Sequence, residues 1–284
     1  MTRTAVVTIT SNRDAHLGRQ LIGLAADPPD LHVVVGMGER PDVPGLVVQV
    51  PVPDTGLPLA AARNAGAAAA IAAGAHVLVF LDVDCIPGPA MVSRYREAAG
   101  PLPGPAVLCG PVTYLPPAPP GGYPATGLAD LASPHPARPA PPAGQVRPEP
   151  RWELFWSLSF ALTAADWIRL GGFCEQYTGY GGEDTDFAVT ASAAGATLYW
   201  VGGATAFHQH HPPSRTTPAR VAEIVRNATL FRRRHGWWPM SGWLSELAHA
   251  GLVTFDPGSD RLTLGCGASG GRPVRTAELR PDGR

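Results

Sequence analysis

The sequence has little that would mark a membrane-spanning, secreted or nucleic-acid-binding protein. It contains no run of 18 apolar residues, so no transmembrane span is expected. The apolar run at the N-terminus is far too short for a signal sequence and breaks at once into Ser11, Asn12 and Arg13. Four cysteines (85, 109, 174 and 266) form no CxxC pair and no regular spacing. That argues against a disulfide framework or zinc knuckle and for a reducing cytosol. Charge is sparse and balanced, 16% of residues with a net of −1, which argues against nucleic acid as a partner. The one basic run, Arg232, Arg233 and Arg234, falls in an expected helix and reads as a solvated face. The 33 glycines and 32 prolines, with abundant alanine, point to biased codon usage, so alanine-rich segments are given no functional weight. The expected location is cytoplasmic, at most peripheral to a membrane, and nothing sets the oligomeric state.

What is present is an alternation of strand and helix patterns in a chain long enough, at 284 residues, for one large α/β domain. Residues 4–10, 31–36, 46–52 and 76–81 read as strands, and 16–26 and 58–74 as helices, the second with Pro58 in its first turn and Gly74 at its end. This β-α-β-β-α-β order predicts a mostly parallel, Rossmann-like sheet with helices on both faces. Ligands in such sheets bind beyond the carboxyl ends of the strands. A helix over 88–99 and a strand over 106–115 follow. Residues 116–150 then carry proline at a density that argues against strand or helix, and read as a mobile loop inserted in one fold. Order resumes with a strand, a helix capped by Thr163, a segment over 177–195, a β-patterned segment over 197–211, and an amphipathic helix with Thr217 as N-cap and Pro218 at N1. A last helix is expected over 239–251 and a loosely ordered tail from 256. The organisation is thus a first half over 1–115, the loop over 116–150, a second half over 151–255 and the tail over 256–284.

Three segments carry chemistry. In "FLDVDC" the carboxylates of Asp82 and Asp84 follow a buried strand and sit at the binding edge of the sheet. Oxygen ligands suit Mg²⁺ or Mn²⁺, ions commonly shared with substrate phosphates, although a turn or cap role explains the pair equally well in isolation. In "GYGGEDTDF" glycines precede an acidic helix start, where either Glu183 or Asp184 suits a general base beside a closely approached ligand. The bland alternative is an acidic N-terminus favoured by the helix dipole. In "FHQHHPP" three histidines follow a strand; His208 and His210 would share a side, and His211 would join them only if the chain turns. Imidazole with carboxylate favours Mn²⁺ over Mg²⁺.

In order and spacing these segments, with "VVTIT", "HLGRQL", "PLAAARNAGAAAA" and "GGFCEQYTGYGGEDTDFAVTASAAGA", resemble a GT-A-fold glycosyltransferase of the family 2 type. The second half is similar to the galactosyltransferase C-terminal region. The resemblance spans roughly residues 4–235 outside the proline-rich loop. It implies a metal-dependent transfer of a sugar from a nucleotide-sugar co-substrate, UDP-linked, to an acceptor hydroxyl. The acceptor class is open: saccharide, lipid-linked or small molecule. Asp84 is then the metal ligand and Asp82 its helper; His208 is the first choice for a further ligand and His211 the second. Asp184 becomes the base of an inverting reaction and Glu183 an acceptor contact. Thr10, Ser11, Arg13, Arg63 and Asn64 fall where nucleotide or phosphate contacts are expected, and Tyr180, Gly181 and Gly182 line the donor. Two readings stand beside it. One is a catalytically silent nucleotide-sugar-binding protein, and the other a retaining transferase of the same fold. A phosphohydrolase is a weaker third, lacking the dense Asp/His array of two-metal sites.

Overall fold

The computed structural model describes residues 2–100, 102–211 and 216–265. Strand β1 (Thr4–Thr10) alternates its side chains between two apolar layers, which is what a strand buried on both faces requires. Ala5, Val7 and Ile9 join one core, and Val6 joins the other. After β1 come α1 (Asp14–Leu24), β2 (Leu31–Met37), β3 (Leu46–Val50), α2 (Leu59–Ala72), β4 (Val77–Leu81) and a three-residue β5 (Cys85–Pro87). Then follow α3 (Met91–Ala98), β6 (Ala106–Cys109), β7 (Val112–Tyr114), α4 (Leu128–Leu131), β8 (Ser133–Pro134), β9 (Val146–Glu149), β10 (Ser159–Thr163) and α5 (Ala164–Leu170). The chain finishes with α6 (Glu183–Ala193), β11 (Thr197–Val201), β12 (Ala206–His208), α7 (Pro218–His235), α8 (Ser241–His249), β13 (Val253–Asp256) and β14 (Arg261–Leu264).

The main sheet has the order β3-β2-β1-β4-β10-β6-β11-β9. All its neighbours from β3 to β4 pair in parallel, as do β6 and β11, while β10 runs antiparallel between β4 and β6 and β9 antiparallel along β11. Helices α2, α5 and α6 cover one face around a cluster of Phe80, Phe160, Phe173, Phe187 and Trp167. Helices α1 and α3 supply Leu24, Met91 and Tyr95 to the other face. A small second sheet, β5-β12-β7-β8, lies where β4 ends.

Helix α2 owes its position to its small residues. Its alanines are not idle composition: Ala60, Ala62, Ala67 and Ala70 are fully buried, and a Cβ on Gly66 would stand 2.4 Å from Val7 Cγ1. Small residues let this helix lie close on β1 and β2, which carries Arg63 to the sheet's carboxyl edge. The stretch 116–150 differs from the structureless loop expected. It holds α4, β8 and β9, and Pro148 is tolerated because β9 is an edge strand with one neighbour. The strand expected over 106–115 divides at Gly110, where the chain passes from the main sheet to the small one. The first part of the expected tail, up to residue 265, contains the last residue of β13 and all of its hairpin partner β14, and 266–284, with Cys266, lies outside the described residues. Thr163 and Thr217 each cap their helix through the side-chain oxygen.

Candidate active site

Strand β4 stops at Leu81 and the chain makes a tight turn, with Cys85 N donating to the Asp82 carbonyl at 2.9 Å. Sheet register then brings the histidines to it. Antiparallel pairing of β12 with β5 sets His208 beside Cys85, and Gln209 N donates to the Asp84 carbonyl at 2.7 Å. Because β12 ends at His208, the chain bends and His211, not His210, comes to the same place. His210 is exposed, which corrects the expectation that 208 and 210 share a side. Asp84 Oδ1 lies 3.7 Å from His208 Nε2, and Oδ2 lies 3.4 Å from His211 Nε2 and 3.5 Å from Arg13 Nη1. One donor atom from each of Asp84, His208 and His211 fits within 4.8 Å.

This donor set fits a divalent cation. Asp84 Oδ1 is buried and accepts no hydrogen bond, an orphan that a cation would satisfy. Burial opposes the Asp84 charge, yet His211, His208 and Arg13 outweigh it and hold the carboxyl at about 2, so it is ionised. Burial lowers the pKa of His208 against the pull of Asp84, which favours the neutral imidazole that ligation needs. Two imidazoles with one carboxylate suit Mn²⁺ better than Mg²⁺.

The second half of the site is the glycine loop before α6. Gly179, Gly181 and Gly182 have φ of +73°, +90° and +94°, conformations costly for any side chain, and they deliver Glu183 to the first turn of the helix. Arg63, almost fully buried, ties this loop to the aspartate turn. Its Nη2 donates to Asp82 Oδ1 at 3.0 Å, and its Nη1 lies 3.5 Å from Glu183 Oε1. Burial opposes the Arg63 charge, but Asp82 and Glu183 outweigh it and raise its pKa. Burial raises Asp82 to about 6 and Glu183 to about 7, with Arg63 opposing both shifts. Asp184 is also raised by burial, while hydrogen bonds from Thr185 N and Oγ1 to its Oδ1 favour the ionised form.

The remaining expected residues divide. Thr10 is buried at the end of β1 with an unpartnered Oγ1, and Ser11 is half-buried next to it. Asn64 has its amide engaged by the 173–175 loop, donating to Phe173 O and Glu175 Oε1 and accepting from Phe173 N. Tyr180 stacks on Trp243 of α8 at 5.8 Å, with Arg220 of α7 also over its ring. Residues of α7 not singled out from sequence grip the loop: Glu223 accepts from Tyr180 N, and Asn227 donates to the Thr178 and Tyr180 carbonyls. An asparagine at helical spacing among Ile224, Ala228 and Phe231, on the apolar stripe of an amphipathic helix, was the available signal. The basic run is a solvated face only in part: Arg233 is exposed, while Arg234 pairs with buried Asp186 and Arg232 with Asp260.

The chain is similar to known proteins in both sequence and fold. A family model described as the N-terminal domain of galactosyltransferase matches residues 143–212, which include the glycine loop and His208. Two relatives named validoxylamine A glucosyltransferase, from Streptomyces hygroscopicus subsp. limoneus and subsp. jinggangensis (strain 5008), are each 32% identical over 276 residues. The matches cover 81% of this chain and 56% and 60% of the relatives, so the chain spans less than two thirds of their length. Among solved structures, GalNAc-T7 with UDP, GalNAc and Mn²⁺ superposes with a TM-score of 0.52 at 15% identity, covering 88% of this chain and 57% of that one. S. aureus TarS 1–349 in complex with UDP-GlcNAc superposes at 0.52 and 13%, covering 80% and 66%. The fold is the GT-A glycosyltransferase fold. No helix among the described residues is long and apolar enough to cross a membrane.

Proposed function

We propose that this GT-A chain is a glycosyltransferase that moves a hexosyl group from a UDP-linked donor to an acceptor hydroxyl with inversion at the anomeric carbon. The single observation that carries the reading is the convergence of three distant segments. Asp84 meets His208 and His211, while Arg63 joins Asp82 to Glu183 beside Asp184. In this reading residues 1–115 bind the nucleotide sugar, 151–255 supply the base and acceptor contacts, and the segment between them borders the acceptor.

Asp84, His208 and His211 would hold Mn²⁺, or less favourably Mg²⁺. A bound cation there supplies electrostatic stabilisation of the departing diphosphate. The protein's own groups do the rest. Asp184 takes the acceptor proton as the new glycosidic bond forms; its burial-raised pKa makes it a stronger base than a solvated aspartate. Glu183, buried and with Oε2 unpartnered, accepts a hydrogen bond from the acceptor and orients it. Arg63 keeps the two acidic motifs at fixed separation. Arg13, half-exposed beside Asp84, faces where phosphate charge accumulates.

The relatives' names make a glucosyl donor the first to try, carried on UDP as in the proposed reading. The test is transfer from a panel of nucleotide sugars with Mn²⁺ and with EDTA, using the protein and its Asp84→Ala variant. Transfer that needs Mn²⁺ and is lost in Asp84→Ala is expected. Full transfer in EDTA would refute the metal role. Mn²⁺-dependent UDP binding without hydrolysis or transfer from any donor would support instead a nucleotide-sugar-binding protein.

A further inference from the structure

The turn that aims Asp84 is only four residues long, and it is held from outside by a side chain that the reading above does not use. Gln20 of α1 is fully buried, and its Nε2 donates to both ends of the turn, to the Asp82 carbonyl at 2.8 Å and the Cys85 carbonyl at 3.0 Å. Its Oε1 accepts from Thr8 Oγ1 of β1 at 2.7 Å. The chemistry allows only one orientation of this amide. Reversed, it would set its oxygen against two carbonyl oxygens. With its hydroxyl proton committed to Gln20, Thr8 Oγ1 can only accept from His32 Nε2, 3.1 Å away, so His32 carries its proton on that nitrogen. Burial lowers His32 to about 4, consistent with a neutral ring at neutral pH. The result is a one-way relay from β2 through β1 and α1 into the turn.

A second grip comes from the same helix. Val83, between the two aspartates, is buried against Leu17 of α1 and Val34 of β2. The turn's middle is thus packed and its ends are hydrogen-bonded, which leaves the Asp84 carboxylate one direction to project. Buried hydrogen-bonded networks fix geometry because any member left without its partner carries a desolvation cost.

We propose that Gln20 is the positioning residue of the cation site: its amide sets the Asp82–Cys85 turn so that Asp84 meets His208 and His211. This rests on the reading of that triad as a metal site, and the experiment separates the two. Mn²⁺ alone is titrated into the full chain at constant pH and temperature, and free Mn²⁺ is followed by electron paramagnetic resonance. Gln20→Met, similar in length but without donors, is expected to bind Mn²⁺ roughly 10- to 100-fold more weakly, the range seen when outer partners of metal ligands are lost. Thr8→Val, which keeps the shape of residue 8 and removes the donor that holds Gln20 Oε1, is expected to weaken binding in the same direction by less, and it carries the test if Gln20→Met does not fold. Wild-type Mn²⁺ affinity in folded Gln20→Met, or in folded Thr8→Val should that be the only variant to fold, would overturn the positioning role even if the melting temperature falls. Failure of the wild-type chain to bind Mn²⁺, or undiminished binding by Asp84→Ala, would instead overturn the metal reading itself.

Discussion

Replacing Arg63 with methionine tests the electrostatic core of the site, and its effect has a particular pH dependence. Arg63 lies 3.0 Å from Asp82 and 3.5 Å from Glu183. At an effective dielectric of about 20 each contact is a gross attraction of about 5 kcal/mol, so losing both suggests a collapse in stability. Proton uptake limits that loss. Asp82 at about 6 and Glu183 at about 7 already sit above the ordinary carboxylate range. The native state therefore binds more protons than the unfolded chain between about pH 4 and 7, and the contribution of these two acids to wild-type stability falls as pH rises through that window. Without the guanidinium both acids hold their protons to higher pH. Between pH 5 and 8 the wild type has released a proton from Asp82 over about two pH units and from Glu183 over about one, while the variant has not. At about 1.4 kcal/mol per unit, Arg63→Met is more destabilising at pH 8 than at pH 5 by at most about 4 kcal/mol. The assay is denaturant unfolding in EDTA at both pH values. A pH-independent loss, or a larger one at pH 5, would show that Arg63 acts by packing on Phe173, 5.3 Å away, and not through its carboxylates.

Three further outcomes follow from the geometry. Asp184→Asn is expected to lower kcat by roughly 10²- to 10⁴-fold while leaving UDP-sugar affinity near wild type, as measured by steady-state kinetics and donor titration; an equal fall in affinity argues against a simple base. Gly181→Ala adds a Cβ at φ +90° and 3.4 Å from Met240 Sδ, so it should cost roughly 1–3 kcal/mol of stability and reduce turnover; an alanine variant as stable and active as wild type would remove the requirement for glycine. Thr163→Ala removes the cap that accepts from Asp166 N and should destabilise by about 1 kcal/mol with KM unchanged, since Thr163 pairs with Val77 at the end of β4 opposite the aspartate turn; calorimetry and kinetics on the same preparation check both halves.

Local signals were legible in the sequence wherever they act locally. Threonine caps at 163 and 217, the proline at 218 and the buried-strand run of β1 each involve residues within a turn or a strand of one another. Signals that depend on a partner's distance are not legible locally. The small residues of α2 became meaningful only when Gly66 met Val7, and Pro148 was acceptable only because β9 has a single neighbour. Arg232 and Arg234 look like surface cations until α7 lies against Asp186 and the β13–β14 hairpin.

For the candidate site the division is similar. The sequence alone determined the chemistry at hand, carboxylates at the end of a buried strand, a glycine-flanked acidic helix start and clustered imidazoles, because residue identity and pattern are local properties. Tertiary structure decided which of these groups meet. The pairing of β12 with β5 sets His208 beside Cys85, and the bend after it brings His211 rather than His210 to Asp84, contacts between residues more than 120 positions apart in sequence. Close packing of α2 turns Arg63 into the tie between two acidic motifs, and burial of α1 turns Gln20 into a brace for the aspartate turn. Neither role has a local signature, because a buried polar side chain takes its function from the partners that folding brings within hydrogen-bond reach.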